Sequence, residues 1–178
     1  LRWIGKLLRI LVKQGLIYSY LRARINSDIM QFKALGLAPF LIKAIEKQAY
    51  QEPTKVQEQA IPLILEGKDL LAIAPTGSGK TAAYALPIIQ NLKGKTRTKN
   101  RHINGLVLVP TRELAQQVQK VFKDFSEGLD YPFKSLAVFG GASINPQMIG
   151  MQHVNVLIAT PGRLLELHQS KAMHFNDL

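Results

Sequence analysis

The sequence predicts an α/β fold, a parallel sheet with helices on both faces. Four short apolar runs of strand length, at about residues 69–73, 105–109, 135–139 and 154–159, alternate with helical patterns. Such alternation is typical of parallel strands that are covered on both sides. In addition, a glycine-bearing loop separates the first run from the helical pattern that follows it, and this order is that of a phosphate-binding unit.

The glycine-bearing loop carries the most specific signal in the chain. It consists of Ala74, Pro75, Thr76, Gly77, Ser78, Gly79, Lys80 and Thr81. Glycines permit turns closed to other residues and let backbone N–H groups approach an anion, and the following helix adds its free amides. In such a loop Lys80 reaches the β- and γ-phosphates and the Thr81 hydroxyl binds Mg²⁺. Lys80 and Thr81 are therefore the predicted catalytic residues, and Thr81 is the predicted metal ligand. The alternative is an ordinary glycine-rich turn.

Composition narrows the class of protein further. The 178 residues are 47% hydrophobic, enough for a domain with a core. The chain has no cysteine, which excludes disulfides and thiolate metal sites and favours a reducing compartment, the cytoplasm. Because no uncharged apolar run reaches the length of a transmembrane helix, we expect no membrane partner. The net charge of +11 indicates an anionic partner.

The N-terminal segment, residues 1–29, differs from the domain that we expect over residues 30–178. Six basic residues against one acidic residue give the segment a net charge of +5, which leaves +6 for the rest. Its apolar residues recur at helical spacing among the basic ones. One interpretation is a basic amphipathic helix that lies on a membrane or a partner. We favour the other, in which the segment is translated upstream sequence or a linker.

Two helices are predicted ahead of the first apolar run. One extends from Pro39 to about Lys47, and the other extends from Thr54 to about Glu66, where Gly67 ends it. Further along, the segment 93–104 places five basic residues among Gly, Thr and Asn. We predict a solvated, mobile loop there, with a binding element as the alternative.

The predicted topology brings several loops together. All strands of a parallel sheet end at the same edge, and open α/β folds bind ligands there. The loops 74–81, 110–113, 140–145 and 160–163 therefore share that edge. The first is the phosphate loop. The other three begin helices or carry glycines, which suits their backbone amides to bind further phosphates.

Further short motifs accompany the phosphate loop in a fixed order. They are residues 49–57 (AYQEPTKVQ), 110–114 (PTREL), 140–141 (GG) and 160–163 (TPGR), with Phe32 as an aromatic residue 17 positions before Ala49. With loop 74–81 as motif I, these resemble the Q motif, motif Ia, the GG element and motif Ib of the DEAD-box ATP-dependent RNA helicases, closest to RhlE-like members. Ala49 replaces the usual glycine. The resemblance runs from Phe32 to about Leu178 and implies the first RecA-like lobe of a P-loop NTPase.

The resemblance implies ATP and Mg²⁺ as cofactors. The nucleotide-binding residues that it implies, besides loop 74–81, are Phe32, Tyr50, Thr54 and Gln57. Gln57 would pair with the N6 and N7 edge of adenine. Alternatively, Thr54 and Gln57 only form a capping box at a helix start. Phe32 would stack on the base, or else it is a core residue.

The resemblance also implies RNA, single-stranded or a short duplex, as the partner. The implied RNA-binding residues are Pro110, Thr111, Arg112, Glu113, Gly140, Gly141, Thr160, Pro161, Gly162 and Arg163. Several have simpler roles at a helix start, with Thr111 and Thr160 as N-caps and Pro161 at the first helical position. These roles are compatible with RNA binding, because a capped helix start with free amides is a phosphate site. For Arg163 the alternative is an internal salt bridge.

The chain departs from the family pattern in what it lacks. The Asp-Glu-Ala-Asp tetrapeptide of motif II does not occur in the sequence, and neither do motif III and the second lobe. We therefore expect an incomplete lobe, a fragment truncated before motif II and inactive alone. The predicted function of the whole is remodelling of RNA duplexes driven by ATP hydrolysis. The alternatives are a non-catalytic ATP- or RNA-binding module, or another P-loop enzyme such as a small kinase or a DNA helicase.

Overall fold

The computed structural model describes residues 31–93 and 100–178. Residues 31–34 are helical. The elements that follow, in chain order, are α1 (Pro39–Lys47), α2 (Lys55–Leu65), α3 (Lys80–Asn91), β1 (Gly105–Leu108), α4 (Arg112–Ser126), β2 (Ser135–Val138), α5 (Ile144–Gly150), β3 (Val156–Ala159) and α6 (Pro161–Gln169). The predicted extension 1–29 lies outside the described residues, as do positions 94–99 of the segment for which we predicted a mobile loop.

Within residues 31–93 and 100–178, the sheet has three parallel strands in the order β1-β3-β2. Leu108 of β1 and Val138 of β2 both pair with Ala159 of β3, so the three strands end in register. The loops that leave these strands therefore begin at one level on one edge. This confirms the parallel α/β class and the shared edge predicted for loops 110–113, 140–145 and 160–163.

Both faces of the sheet are buried. In the central strand β3, Val156 and Ile158 belong to a core with the helices α1 to α4, whereas Leu157 and Ala159 belong to a second core on the opposite face. All four residues are fully buried. Because successive strand residues point to opposite faces, this division shows that helices cover the sheet on both sides.

The prediction of a strand at residues 69–73 is wrong. No residue from 69 to 75 is assigned to a strand, and the side chains of Leu71 and Ile73 are 87% and 91% exposed. Among the described residues, this segment has no strand as a hydrogen-bonding neighbour. An apolar run of strand length becomes a strand only where another backbone pairs with it, and the sheet ends at β1 on this side.

Helices α1 and α2 end in the same type of turn. In each, the second residue after the cap donates back to the carbonyl five residues earlier: Tyr50 N–H to Ile45 O at 3.4 Å, and Lys68 N–H to Leu63 O at 3.0 Å. This is the Schellman motif, whose penultimate residue adopts a left-handed conformation. Gly67 takes that position after α2 with φ +74°, but Ala49 takes it after α1 with φ +55°. Ala49 is thus the residue at which the sequence departs from the glycine of the Q motif.

Among the described residues, none of the helices combines the length and apolar composition needed to cross a membrane.

Candidate functional site

The phosphate loop has the backbone that its glycines predict. Gly77 and Gly79 have φ +79° and +87°, in the left-handed region that favours glycine. Gly79 is the N-cap of α3, which places Lys80 at the first helical position. The Lys80 ammonium donates to the carbonyl oxygens of Ala74 and Pro75, the latter at 2.7 Å. The loop therefore folds around the lysine that would contact phosphates.

Side chains of the loop leave donors and acceptors for a ligand. The Ser78 hydroxyl is buried and has no hydrogen-bond partner among the described residues. Burial raises the pKa of the Tyr84 phenol, and its hydrogen bond with the Thr81 side chain lowers that pKa in part. Ser78 and the two left-handed glycines are features that a phosphate group fits, since it supplies acceptor oxygens at close approach to backbone. Among the described residues, no three His, Cys, Asp or Glu side chains form a metal-ligand cluster.

Two side chains at the start of α2, those of Thr54 and Gln57, hold the phosphate loop. We call this pair the clasp. Gln57 is fully buried; its Oε1 accepts from Thr54 N–H at 3.0 Å, and its Nε2 donates to Gly79 O at 3.2 Å. The Thr54 hydroxyl donates to Ser78 O at 2.7 Å. The capping box at the start of α2 is therefore present, and the same two side chains also bond to the loop. The structure thus places Thr54 and Gln57 against the phosphate loop, and the two bonds of the Gln57 amide are to the backbone of Thr54 and Gly79.

Phe32 and Tyr50 lie in the aromatic part of the core. Phe32 is fully buried, and its ring lies edge-on to Tyr50 with centroids 6.5 Å apart. Tyr50 in turn packs against Phe125, with the ring centroids 5.5 Å apart. Burial raises the pKa of the Tyr50 phenol, and the nearby Asp124 charge raises it further. In this structure Phe32 is a core residue, the second of the two roles considered for it, and presents no exposed ring face to a base.

A cavity of about 580 Å³ connects the phosphate loop with the sheet edge. Its lining includes Lys80 and Thr81 from the phosphate loop, and Leu108 and Pro110 from the end of β1 and the loop after it. Apolar residues of α2 and of the exposed segment that precedes the loop complete its wall. The loop and the first residue of the 110–113 motif therefore face one space.

The loop after β1 caps α4 as expected. Thr111 is the N-cap of α4, and its hydroxyl accepts from Leu114 N–H at 3.3 Å. Arg112 and Glu113 are exposed and form an ion pair at 2.7 Å. Its hydrogen bond with Arg112 holds the pKa of the Glu113 carboxyl below the ordinary value. Because Pro110 to Glu113 are all exposed at the edge of the sheet, this helix start is accessible to an anion.

The loop after β3 is built differently. Thr160 is the N-cap of α6, but its side chain makes no capping hydrogen bond, and Pro161 takes the first helical position. Arg163 is buried. Its Nε donates to Glu166 at 2.8 Å and its Nη2 donates to Ala142 O at 2.8 Å, whereas Nη1 is buried with no partner among the described residues. The internal salt bridge considered for Arg163 is therefore present, and the same guanidinium contacts the neighbouring loop.

The loop after β2 presents the two glycines at the same edge. Gly140 and Gly141 are exposed, and a Cβ at either position would meet no atom within 4 Å. Gly141 has φ +77°, in the left-handed region that favours glycine. Sequence reasoning missed the residue that holds this loop. Gln147 of α5 makes three hydrogen bonds to its backbone, and no motif considered above contains that residue.

Comparisons with known proteins follow the same motifs. The sequence pattern described as DEAD/DEAH box helicase matches residues 54–178. The chain is 43% identical over 153 residues to the ATP-dependent RNA helicase CshA of Limosilactobacillus reuteri, with 84% of this chain and 30% of that protein covered. It is 43% identical over 154 residues to the ATP-dependent RNA helicase dbp10 of Schizosaccharomyces pombe, of which it covers 18%. The chain thus spans less than a third of each of these relatives.

Solved structures agree with the sequence matches. The fold is similar to that of the RNA helicase Prp28 from Chaetomium thermophilum bound to ADP, with a TM-score of 0.70, 34% identity and coverage of 80% of this chain and 35% of that one. It is also similar to a DEAD box protein from Methanococcus jannaschii, with a TM-score of 0.73, 30% identity and coverage of 83% and 39%. These matches agree with the phosphate loop and with the ordered motifs at the sheet edge. The chain therefore belongs to the DEAD/DEAH box helicase family.

Proposed function

We propose that this chain is the nucleotide- and RNA-binding part of an ATP-dependent RNA helicase, which uses ATP hydrolysis to remodel RNA duplexes. One observation carries the proposal: the phosphate loop and the motif after β1 line one cavity, and the loops after β2 and β3 leave the same sheet edge. A phosphate loop close to a sheet edge that carries further helix starts suits a protein that couples a nucleotide to a phosphate backbone. The names of the relatives, ATP-dependent RNA helicases, support the same function.

For the nucleotide, we assign roles to the residues of the loop 74–81 and the clasp. Lys80 would bind the β- and γ-phosphates, and Thr81 would bind Mg²⁺, which neutralises charge on the transferred phosphoryl group. The unpartnered Ser78 hydroxyl and the Gly77 and Gly79 backbone fit a phosphate. Gln57 would read adenine with the hydrogen-bonding capacity that its two present bonds leave over, since an amide has two donors and two acceptor lone pairs.

For RNA, we propose a phosphate track along the sheet edge. The exposed helix start at Thr111 and the exposed glycines 140 and 141 supply backbone N–H groups, and Arg112 supplies positive charge. Contacts of this type fix the position of a nucleic acid without reading its sequence. Arg163 supports the track from inside the protein, because its side chain is buried and its guanidinium donates to Ala142 O in the loop after β2. Glu113 completes the α4 start as partner of Arg112.

A non-catalytic ATP- or RNA-binding module is the second candidate. It rests on the same features, the phosphate loop and the exposed helix start after β1, which can bind anions without turnover. The two candidates share the binding sites and differ only in turnover. Three expectations stay predictions: the similarity to RhlE-like members, the cytoplasmic location and the domain boundary at residue 30.

Binding is the direct test of the proposal. Fluorescent ADP and a labelled single-stranded RNA are titrated separately against the chain at submicromolar concentration. We expect both to bind, and Lys80→Ala to lose ADP while retaining RNA. Lys120→Ala is the matched control, since Lys120 is exposed and forms an ion pair with Asp124 of the same helix, α4. Equal ADP affinity in Lys80→Ala would remove the phosphate-loop assignment. RNA-stimulated phosphate release that Lys80→Ala abolishes would reject the non-catalytic module.

A further inference from the structure

The loop that follows β2, residues 139–143, is fastened from one side by a single amide side chain. Gln147 Oε1 accepts from Phe139 N–H at 3.0 Å. Gln147 Nε2 donates to Phe139 O and to Ser143 O, each at 3.2 Å. The two ends of the loop are thereby joined through one residue of α5, which itself begins immediately after the loop.

The opposite side of the loop is open. Gly140 and Gly141 are exposed, and open space surrounds the positions where their Cβ atoms would lie. Among the described residues, the N–H groups of these two glycines have no hydrogen-bond acceptor. The loop therefore has a side that is bonded to protein and a side that offers bare backbone donors to solvent.

A second contact to the loop comes from helix α6. Arg163 Nη2 donates to Ala142 O at 2.8 Å, and the same guanidinium is held by Glu166. Four hydrogen bonds from two side chains thus fix a five-residue loop whose glycines are free to rotate in the unfolded chain. Without them, ordering each freed residue on binding would weaken a ligand's affinity by roughly tenfold.

We propose that Gln147 is a positioning residue, which holds loop 139–143 in the shape that directs the Gly140 and Gly141 amides at a phosphate of bound RNA. The inference rests on the proposed RNA-binding function. Gln147 does not touch the RNA. It suits this task because a primary amide is both donor and acceptor, so that one side chain satisfies an N–H and two carbonyl groups.

The test compares Gln147→Glu with the wild-type chain and with Gln152→Glu. Gln152 is exposed and follows α5, so this control adds the same charge outside the loop. The Gln147→Glu carboxylate keeps an acceptor for Phe139 N–H but places negative charge against two carbonyl oxygens. We expect its affinity for a labelled single-stranded RNA at about pH 8 to fall roughly tenfold, with fluorescent-ADP affinity unchanged.

A pH profile separates positioning from general damage. A protonated carboxyl is again a donor and an acceptor, and glutamate has an ordinary pKa of about 4.3. The two carbonyl oxygens favour the protonated carboxyl, whereas the Arg163 guanidinium, which contacts Ala142 of the same loop, favours the carboxylate. As the pH falls from about 8 to about 5, the affinity of Gln147→Glu, relative to wild type at each pH, is expected to rise in part, because the protonated fraction of the carboxyl grows. Gln152→Glu is expected to show no recovery, and the nearby Arg163 stays charged throughout.

Hydrogen exchange gives an independent measurement of the loop. Gln147→Ala is expected to speed exchange of the Phe139 amide, while the amides of β3 stay protected. Wild-type chain that binds no RNA would reject the proposed function. Wild-type chain that binds RNA, together with Gln147→Glu and Gln147→Ala variants that bind it equally well, would reject the positioning role alone. A Gln147→Glu variant that loses both RNA affinity and ADP affinity at every pH would also reject the positioning role, because the substitution would then have disrupted the fold.

Discussion

At the scale of single residues, Gly79 has the least room in the phosphate loop. A Cβ there would lie 2.5 Å from Gln57 Nε2 and 3.1 Å from the Thr54 hydroxyl. Gly77 has a similar left-handed φ, but a Cβ there meets open space. The two glycines therefore share the need for a left-handed backbone, and only Gly79 also needs the absence of a side chain.

This contrast predicts different costs for the same substitution. Gly77→Ala and Gly79→Ala both place alanine in the left-handed region, at about 1–2 kcal/mol. Gly79→Ala also displaces Gln57 from its bond to Gly79 O, which adds about 1–3 kcal/mol for the buried amide. We expect Gly79→Ala to melt clearly below Gly77→Ala in thermal unfolding. Equal melting temperatures would mean that the clasp around Gly79 yields without cost.

Gln57 is the second test at this scale, because its amide has a structural role and a proposed role in base choice. Gln57→Ala removes the capping box and the bond to Gly79, so we expect a loss of about 1–3 kcal/mol in stability. If adenine pairing forms, ADP affinity falls more than GDP affinity. Gln59→Ala, at an exposed position of the same helix, controls for helix propensity. A uniform loss for both nucleotides would leave Gln57 only its capping role.

Individual residues differ in how well the sequence predicts them. Thr111 is the N-cap that its position before a helical pattern indicates, since capping is local. Phe32 was open between base stacking and the core, because a single aromatic residue carries no period that distinguishes them. Gln147 could not be predicted, because its partners are defined by the path of the loop in three dimensions rather than by a pattern.

At the scale of elements, α1 and α2 offer a reciprocal pair. Both end in a Schellman turn, one with Ala49 and one with Gly67 at the left-handed position. The left-handed conformation costs alanine about 1–2 kcal/mol relative to its normal region, and a Cβ at Gly67 would meet no atom. Backbone strain is therefore the main difference between the two turns.

We accordingly expect Ala49→Gly to stabilise the protein and Gly67→Ala to destabilise it, each by about 1 kcal/mol. The greater freedom of glycine in the unfolded chain reduces the gain at position 49 slightly. Urea unfolding of the two variants and of the double variant measures both changes, and the double variant is expected to match wild type. Destabilisation by Ala49→Gly would contradict the assigned left-handed turn.

The secondary structure elements were largely predictable. The helix from Pro39 to Lys47 and the strands at 105–108, 135–138 and 156–159 agree with the patterns within a residue or two. The run 69–73 has the same apolar composition as those strands, yet it is not one. A strand forms only where another strand pairs with it, and that partner can lie far away in the sequence. Two segments of similar apolar composition can therefore differ in structure.

At the scale of the whole molecule, apolar surface and a free strand edge coincide. Leu71 and Ile73 are largely exposed beside the phosphate loop, Leu108 at the end of β1 is 56% exposed, and β1 pairs on one side only among the described residues. Unpaired strand edges with apolar side chains invite association with other chains.

We therefore expect the 178-residue chain to self-associate as its concentration rises, and Ile73→Lys to reduce this association. Leu165→Lys is the control, because Leu165 is also exposed, at 59%, but lies on helix α6. Size-exclusion chromatography across a concentration series measures the effect. A monodisperse wild-type chain, or an equal effect of both substitutions, would show that the edge near β1 is not the site of association.

The helix α3 connects the phosphate loop with a distant part of the surface. It begins at Lys80 and spans 12 residues, a rod of about 18 Å. At its far end, the Gln90 side chain accepts from Ala38 N–H at 2.7 Å and donates to Gly36 O at 3.0 Å. We expect a shift of the first turn on phosphate binding to move the segment 36–38, because Gln90 bonds that segment to the end of α3. Because the chain has no cysteine, a single Lys33→Cys change at an exposed position would accept one thiol-reactive dye, which would report nucleotide occupancy from outside the site.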